Sequence, residues 1–180
     1  MKLYNKEIKT PTNILVAECK NMDLIKTLIK EVKFNMKFKK EMPAVNAEST
    51  SYEALVKSKN LLKFIETNVK AFKKYYPGFG FTIVDAWGNI YKNKKHYCKP
   101  HNHYGSTGFS AIIYLTDGPG PGTYFKQYNL LIKEKKGRFI LFNPLLEHEV
   151  NHYDYKKERI TIAFNCNQAI DFDNSVLNLC

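Results

Sequence analysis

The chain has 180 residues, of which 44% are hydrophobic and 14% aromatic. This size and composition exclude disorder and predict one domain with a core of its own. No apolar run reaches the roughly 20 residues of a membrane span, and the first ten residues lack the apolar segment of a secretory signal. We therefore expect a cytoplasmic protein that has no membrane partner.

The net charge of +11 raises nucleic acid as a candidate partner. Among the 28 basic residues, however, only Arg138 and Arg159 are arginines, and bidentate recognition of phosphates and bases favours arginine. The sequence therefore disfavours a nucleic-acid partner but leaves it open, with a basic binding face as the alternative reading of the charge. The four cysteines form no CxxC pair, so neither a zinc ribbon nor a thioredoxin-type site is predicted.

The first 80 residues are predicted to supply mainly helical support. Residues 13–18 (NILVAE) form a predicted strand. The apolar spacing that begins at Met22 is that of an amphipathic helix, and Asn21 precedes it as the expected N-cap. The following stretch, EMPAVNAEST at 41–50, is predicted to be a loop.

A second helix is predicted to follow that loop, because Thr50 and Glu53 have the spacing of a capping box. The apolar stripe of this helix comprises Leu55, Leu62, Ile65, Val69, Phe72 and Tyr76. Both helices are expected to pack their apolar stripes against a sheet.

After Gly80 the helical period gives way to strand patterns that are separated by turn residues such as DGPGPG. The predicted strands are FTIVDAWGNIY (81–91), FSAIIYL (109–115), TYFKQYNLLI (123–132), GRFILF (137–142), HEV (148–150) and RITIAFN (159–165). Successive strands without intervening helices predict an antiparallel sandwich or barrel with helices on one outer face. We therefore expect an α+β protein with a single domain over 1–180, in which 81–180 form the strand core.

Two of the five histidines, His101 and His103, lie one residue apart just before a predicted strand. In an extended chain, side chains two positions apart point to the same side and can reach one ion. His148, at the start of another predicted strand, can supply a third imidazole. The alternative reading is a pair of solvated loop histidines with no metal.

Arg159 and Thr161 share one face of the last predicted strand by the same period of two. A guanidinium with a hydroxyl beside it makes a good clamp for a carboxylate. Along the chain, two candidate metal ligands are followed by a third ligand and then by a candidate carboxylate anchor. This order favours a single metal site over unrelated polar residues.

On these residues the chain resembles the Fe(II)/2-oxoglutarate-dependent oxygenases. That family carries a His-x-Asp/Glu pair, a distal histidine and a basic residue, often in Arg-x-Ser/Thr, that binds the distal carboxylate of 2-oxoglutarate. The matching segments here are His101-Asn102-His103, His148 and Arg159-Ile160-Thr161, and PGTYF at 121–125 is similar to a Gly-x-Thr-x-Phe stretch of prolyl-hydroxylase-like members. The chain departs from the family at His103, which stands where an acidic ligand is usual.

The resemblance implies a double-stranded β-helix, a jelly-roll or cupin-like fold, with the N-terminal helices packed on one face. It implies a dioxygenase that hydroxylates a small-molecule or protein substrate and releases succinate and CO2. The implied site has Fe(II) on His101, His103 and His148, 2-oxoglutarate on Arg159, Thr161 and Tyr97, and substrate-pocket walls from Trp87, Tyr91 and Tyr114.

Two other functions stay open. A cupin-like three-histidine metalloenzyme would not use 2-oxoglutarate, and Arg159 would be dispensable for its chemistry. A non-enzymatic β-sandwich would bind an acidic partner through its basic surface, without a metal and in a salt-sensitive manner. The sequence also leaves a homodimer open.

Overall fold

The computed structural model describes residues 13–75, 80–118, 120–152 and 157–169. The elements in chain order are β1 (Ile14–Glu18), α1 (Met22–Asn35), β2 (Val45–Asn46), β3 (Glu48–Ser49), α2 (Lys59–Thr67), α3 (Val69–Tyr75), β4 (Gly80–Tyr91), β5 (Tyr97–His101), β6 (Phe109–Tyr114), β7 (Thr123–Phe125), β8 (Leu130–Ile132), β9 (Arg138–Phe142), β10 (His148–Val150) and β11 (Arg159–Ala169). None of the helices among these residues is both long and apolar enough to span a bilayer.

The strands form two antiparallel sheets that face each other. The larger sheet has the order β1-β9-β6-β11-β4-β3, and the smaller has the order β2-β5-β10-β7-β8. The main core lies between the helices and the outer face of the larger sheet. Strands β1, β2 and β3 come from the N-terminal part of the chain, so that part completes both sheets as well as supplying the helices.

Strand β11 lies inside the larger sheet, between β4 and β6. Successive side chains of a strand point to opposite faces, and β11 follows this rule closely. Ile160, Ile162 and Phe164 join the core under the helices. The alternate residues Arg159, Thr161, Ala163 and Asn165 line a cavity between the sheets.

Helix α1 forms as predicted. The side chain of Asn21 accepts a hydrogen bond from the backbone N–H of Leu24 at 3.0 Å, which satisfies one of the donors left unpaired at a helix start. The apolar stripe of α1, which includes Leu28 and Val32, is buried in the main core.

The predicted start of the second helix is wrong. Helix α2 begins at Lys59, where Ser58 is the N-cap and its hydroxyl accepts from the N–H of Leu61 at 3.0 Å. Thr50 instead contacts the larger sheet, where its hydroxyl accepts a hydrogen bond from the backbone N–H of Gly88 at 3.0 Å. Thr50 therefore binds the backbone of β4, and it does not begin a helix.

The second helix is also broken at Asn68, whose side chain donates to the carbonyl of Phe64 at 2.8 Å. The break separates α2 from α3 and changes the phase of the apolar stripe. Leu62 and Val69, which were predicted to lie on the buried stripe, are exposed, while the neighbouring Leu61 is fully buried. Tyr76, the last residue of the predicted stripe, lies outside the described residues.

Two strand predictions also need correction. The segment predicted as one strand over 123–132 is a hairpin, in which β7 and β8 are joined by a 3-10 turn at Lys126–Tyr128. Asn129 makes this turn with a left-handed backbone at φ 47°, a conformation that asparagine tolerates. Part of the predicted loop at 41–50 pairs as β2 and β3, and the sequence did not predict β5.

Helix α1 packs directly on the backbone of β4 at Gly88. A Cβ atom at this position would lie 2.6 Å from Cγ1 of Val32, which is fully buried. Gly88→Ala is therefore expected to lower the free energy of unfolding by about 1–3 kcal/mol, the usual cost of overpacking. Chemical denaturation would measure this, with Gly105→Ala as the control because a Cβ there meets nothing within 4 Å. Equal stabilities of the two variants would contradict the prediction.

Candidate metal centre

Three histidines converge between the two sheets. His101 ends β5 and His148 begins β10, and the ladder between these strands pairs the two residues directly. His103 follows in the next loop, where its backbone N–H donates to the carbonyl of Pro144 at 2.8 Å. One ring nitrogen from each histidine lies within 4.8 Å of those of the other two. The structure therefore brings together all three predicted metal ligands.

Backbone carbonyls orient two of the three rings. Nδ1 of His101 lies 2.9 Å from the carbonyl of Lys99, and Nδ1 of His148 lies 3.1 Å from the carbonyl of Leu146. A carbonyl can only accept, so in each neutral ring the proton is on Nδ1 and the lone pair is on Nε2. This is the arrangement in which a histidine is ready to bind a metal through Nε2.

The third ring is held by a side-chain network. Asn165 Nδ2 lies 3.1 Å from Nδ1 of His103 and 2.7 Å from a carboxylate oxygen of Asp85, and the Asn165 carbonyl accepts from Ser110. An amide nitrogen donates, so this arrangement leaves Nδ1 of His103 as the acceptor. For His103 to bind a metal through Nε2, the amide would have to present its oxygen to the ring. His103 is therefore the ligand whose hydrogen bonding must change on metal binding.

All three histidines are neutral at pH 7. Burial lowers the pKa of His103 to about 4 and holds the pKa of His148 well below its ordinary value. Burial also lowers the pKa of His101, although the hydrogen bond to the Lys99 carbonyl opposes the shift. A metal can therefore bind at neutral pH without first displacing protons from charged rings.

The metal-free protein is expected to lose stability as the pH falls from 7 to 5. Because the folded-state pKa values of His103 and His148 lie below the ordinary 6.5, the unfolded chain takes up protons first. The free energy of unfolding therefore falls with pH below 6.5, by about 2 kcal/mol at pH 5 for His103, and His148 adds a loss of the same sign.

Urea denaturation at both pH values would measure this loss. His148→Phe should reduce it, whereas His152→Ala, which changes an exposed histidine, should leave it unaltered. Equal pH dependence of the wild type and His148→Phe would contradict the prediction.

A buried guanidinium lies at the other end of the cavity. Arg159 lies over the ring of Tyr91, with its Cζ atom 4.6 Å from the ring centre, and 5.5 Å from the ring centre of Tyr114. Its Nε atom lies 2.8 Å from a carboxylate oxygen of Glu134, and both side chains are only 2% exposed. Thr161, two residues along β11, is also buried on the cavity side.

One cavity connects the histidines with the guanidinium. Its polar and aromatic lining comprises His101, His103, His148, Trp87, Asn89, Tyr91, Ser110, Arg159, Thr161 and Asn165. The free space is about 30 Å³, room for about two water molecules. An organic ligand can therefore enter only if the lining side chains move apart.

Two of the three predicted pocket residues line this cavity. Trp87 lies at the histidine end, with its ring centre 6.1 Å from that of His103, and Tyr91 lies at the Arg159 end. Tyr114 is not part of the cavity lining. Its ring lies beside Arg159, and its hydroxyl donates to Thr123 at 2.7 Å.

The structure does not bring Tyr97 to the cavity. Its side chain lines a separate surface groove, and its ring lies 4.0 Å from that of His152. The neighbouring Cys98 does line the cavity, since adjacent residues of β5 point to opposite faces. A role for Tyr97 at the anchor therefore has no support from its position.

Sequence reasoning missed three polar residues around the site. Asp85 and Asn165 lie two residues from Trp87 and Ala163 on strands with a period of two, so the alternation could have identified them. The sequence does not indicate that Glu134 is buried, because the segment KEKKG at 133–137 is typical of a solvated turn. Its burial could only be found in the structure.

No protein-family model matches this chain, and no curated protein matches its sequence. Solved structures do match over nearly the whole fold. The viral collagen prolyl hydroxylase of Paramecium Bursaria Chlorella virus-1, solved with 2-oxoglutarate, is 18% identical with a TM-score of 0.64, over 88% of this chain and 97% of that one. A Pseudomonas putida prolyl-4-hydroxylase is 13% identical with a TM-score of 0.64, over 87% and 93%.

HygX from Streptomyces hygroscopicus, solved with nickel and 2-oxoglutarate, is 10% identical with a TM-score of 0.66, over 88% of this chain and 84% of that one. These similarities confirm the predicted fold class, an α+β double-stranded β-helix. The chain has the fold of the 2-oxoglutarate-dependent oxygenases, and the three histidines lie inside that fold.

Proposed function

We propose that the protein is an Fe(II)- and 2-oxoglutarate-dependent oxygenase that hydroxylates a substrate still to be identified. The observation that carries the proposal is one cavity with three neutral imidazoles at one end and a buried guanidinium at the other. The fold, which solved structures with bound 2-oxoglutarate share, supports the same function.

The donor set fits Fe(II), which accepts imidazole readily, and the guanidinium with its neighbouring hydroxyl fits a carboxylate. When bound, Fe(II) and 2-oxoglutarate supply the oxidation, in which one atom of O2 enters succinate as CO2 leaves and the other enters a C–H bond of the substrate. Because the three histidines are uncharged, they would not offset the charge of the metal ion. The full charge of the ion would therefore be available to balance a bound 2-oxo acid dianion.

The residues of the chain hold and shield these groups. His101, His103 and His148 would bind the metal, and Arg159 with Thr161 would donate hydrogen bonds to the distal end of the 2-oxo acid. Trp87, which is nearly fully buried beside His103, would exclude water from the metal side of the cavity.

Anaerobic calorimetry with Fe(II) and 2-oxoglutarate, followed by a succinate assay in air, tests the proposal. We expect metal binding, metal-dependent binding of 2-oxoglutarate and slow succinate release even without substrate. Failure to bind either ligand would overturn it. Metal binding without any effect of 2-oxoglutarate would favour the cupin-like three-histidine enzyme, and salt-sensitive binding of acidic polymers alone would favour the basic module.

A further inference from the structure

Among the residues that the structure describes, Glu134 forms a buried ion pair with Arg159, and it has no part in the role proposed above. Its carboxylate approaches the Nε side of the guanidinium at 2.8 Å, and neither side chain has appreciable contact with water. A guanidinium has five N–H donors in a planar fork. The ion pair with Glu134 lies on the Nε side, so Glu134 offsets the charge of Arg159 without itself occupying the Nη groups.

Two glycines, Gly118 and Gly120, lie against the carboxylate of Glu134. The backbone N–H of Gly120 donates to the carboxylate of Glu134 at 3.0 Å. A Cβ atom on Gly118 or Gly120 would come within 2.5 Å of a carboxylate oxygen. Gly118 and Gly120, which the sequence marks only as turn residues, therefore lie close to the Glu134 carboxylate, and their lack of a Cβ atom allows that approach.

The pair changes the charge that an entering ligand meets. With a metal bound, the histidine end carries the full charge of the ion because its three ligands are neutral. At the Arg159 end, Glu134 offsets the charge of the guanidinium inside the protein. Attraction for an anionic group is therefore concentrated at the metal and is weak at the far end.

Resting on the proposed function, we propose that Glu134 determines the specificity of the cavity for its 2-oxo acid. Because Glu134 neutralises Arg159, the anchor end accepts an uncharged hydrogen-bonding group, such as a carboxamide, almost as well as a carboxylate. The ligand class is thus 2-oxo acids with a polar distal group, of which 2-oxoglutarate is one member.

The test compares two ligands of equal length by anaerobic calorimetry on Mn(II)-loaded protein. N-oxalylglycine mimics 2-oxoglutarate, and N-oxalylglycinamide replaces its distal carboxylate by a carboxamide. For the wild type we expect the two dissociation constants to differ by less than about tenfold, because a compensated guanidinium offers little net charge to the carboxylate. A preference for the carboxylate above that limit overturns the inference.

Glu134→Gln supplies the second arm, since it keeps the shape of the side chain and removes its charge. It should raise the preference for N-oxalylglycine to about 100-fold or more, because Arg159 then lacks the charge of Glu134 and attracts the carboxylate of the ligand more strongly. Glu66→Gln, an exposed change on α2, should leave the wild-type ratio unaltered. An unchanged ratio in Glu134→Gln overturns the inference.

Thermal unfolding without ligand shows whether Glu134→Gln folds, and if it does not, the wild-type ratio alone decides. The failure of the proposed function has a different signature. In that case neither ligand binds the Mn(II)-loaded wild type, whereas failure of the specificity role leaves both measurable and the carboxylate strongly preferred.

Discussion

His148→Ala is expected to weaken metal binding by at least about 100-fold and to abolish turnover of 2-oxoglutarate, a larger loss than disruption of an outer-shell partner usually causes. His148 is the most buried of the three ligands and is 4% exposed. Its ring centre lies 4.3 Å from that of His101 and 5.2 Å from that of His103. Removal of this ring leaves two ligands, which cannot hold a catalytic ion in a defined geometry.

Anaerobic calorimetry with Fe(II) and the succinate assay would measure the two losses for His148→Ala. His152→Ala is the matched control, because His152 also has its Nδ1 atom against a backbone carbonyl, that of Lys94 at 3.0 Å, but it is exposed. Wild-type metal affinity in His148→Ala would show that the three rings do not form the metal site.

Arg159→Met is expected to lower the free energy of unfolding by about 3–5 kcal/mol, the usual cost of removing one partner of a buried ion pair. The change leaves the carboxylate of Glu134 buried without its ion-pair partner, because Met carries no charge. Binding of 2-oxoglutarate should be lost as well, because the remaining carboxylate repels the distal end of the ligand. Urea denaturation and calorimetry would measure the two effects.

The double variant Arg159→Met/Glu134→Leu separates the stability effect from the binding effect. An apolar pair of similar volume often replaces a buried ion pair without loss of stability, so we expect much of the lost stability to return. Binding of 2-oxoglutarate should not return with it. Normal succinate release by Arg159→Met would instead favour the three-histidine enzyme that does not use 2-oxoglutarate.

The site could be predicted from the sequence where it depends on local periodicity. The alternation of side chains along a β-strand is enough to place His101 and His103 on one side of the chain. The same alternation places Arg159 and Thr161 on one face of their strand. The prediction of α1 succeeded for a similar reason, since Asn21 and the apolar spacing after it determine where that helix begins.

Features that depend on long-range contacts could not be predicted in this way. Thr50 fits a capping box by spacing alone, and only the approach of β4 diverts its hydroxyl to Gly88. Strands β2 and β3 have two residues each, too few to show a period. Glu134 is polar in a lysine-rich segment, and its burial depends on a turn and a strand that are distant in sequence from it.

Strand β11 carries both ends of the cavity on one continuous stretch of backbone, with Arg159 at its start and Asn165 beside His103. The number of residues between Arg159 and Asn165 therefore sets the distance between the carboxylate anchor and the metal site. A single inserted residue between Thr161 and Asn165 would rotate one end out of the cavity. An insertion in β11 therefore cannot lengthen the cavity for a longer ligand. A change in the permitted ligand length requires changes in other parts of the cavity wall.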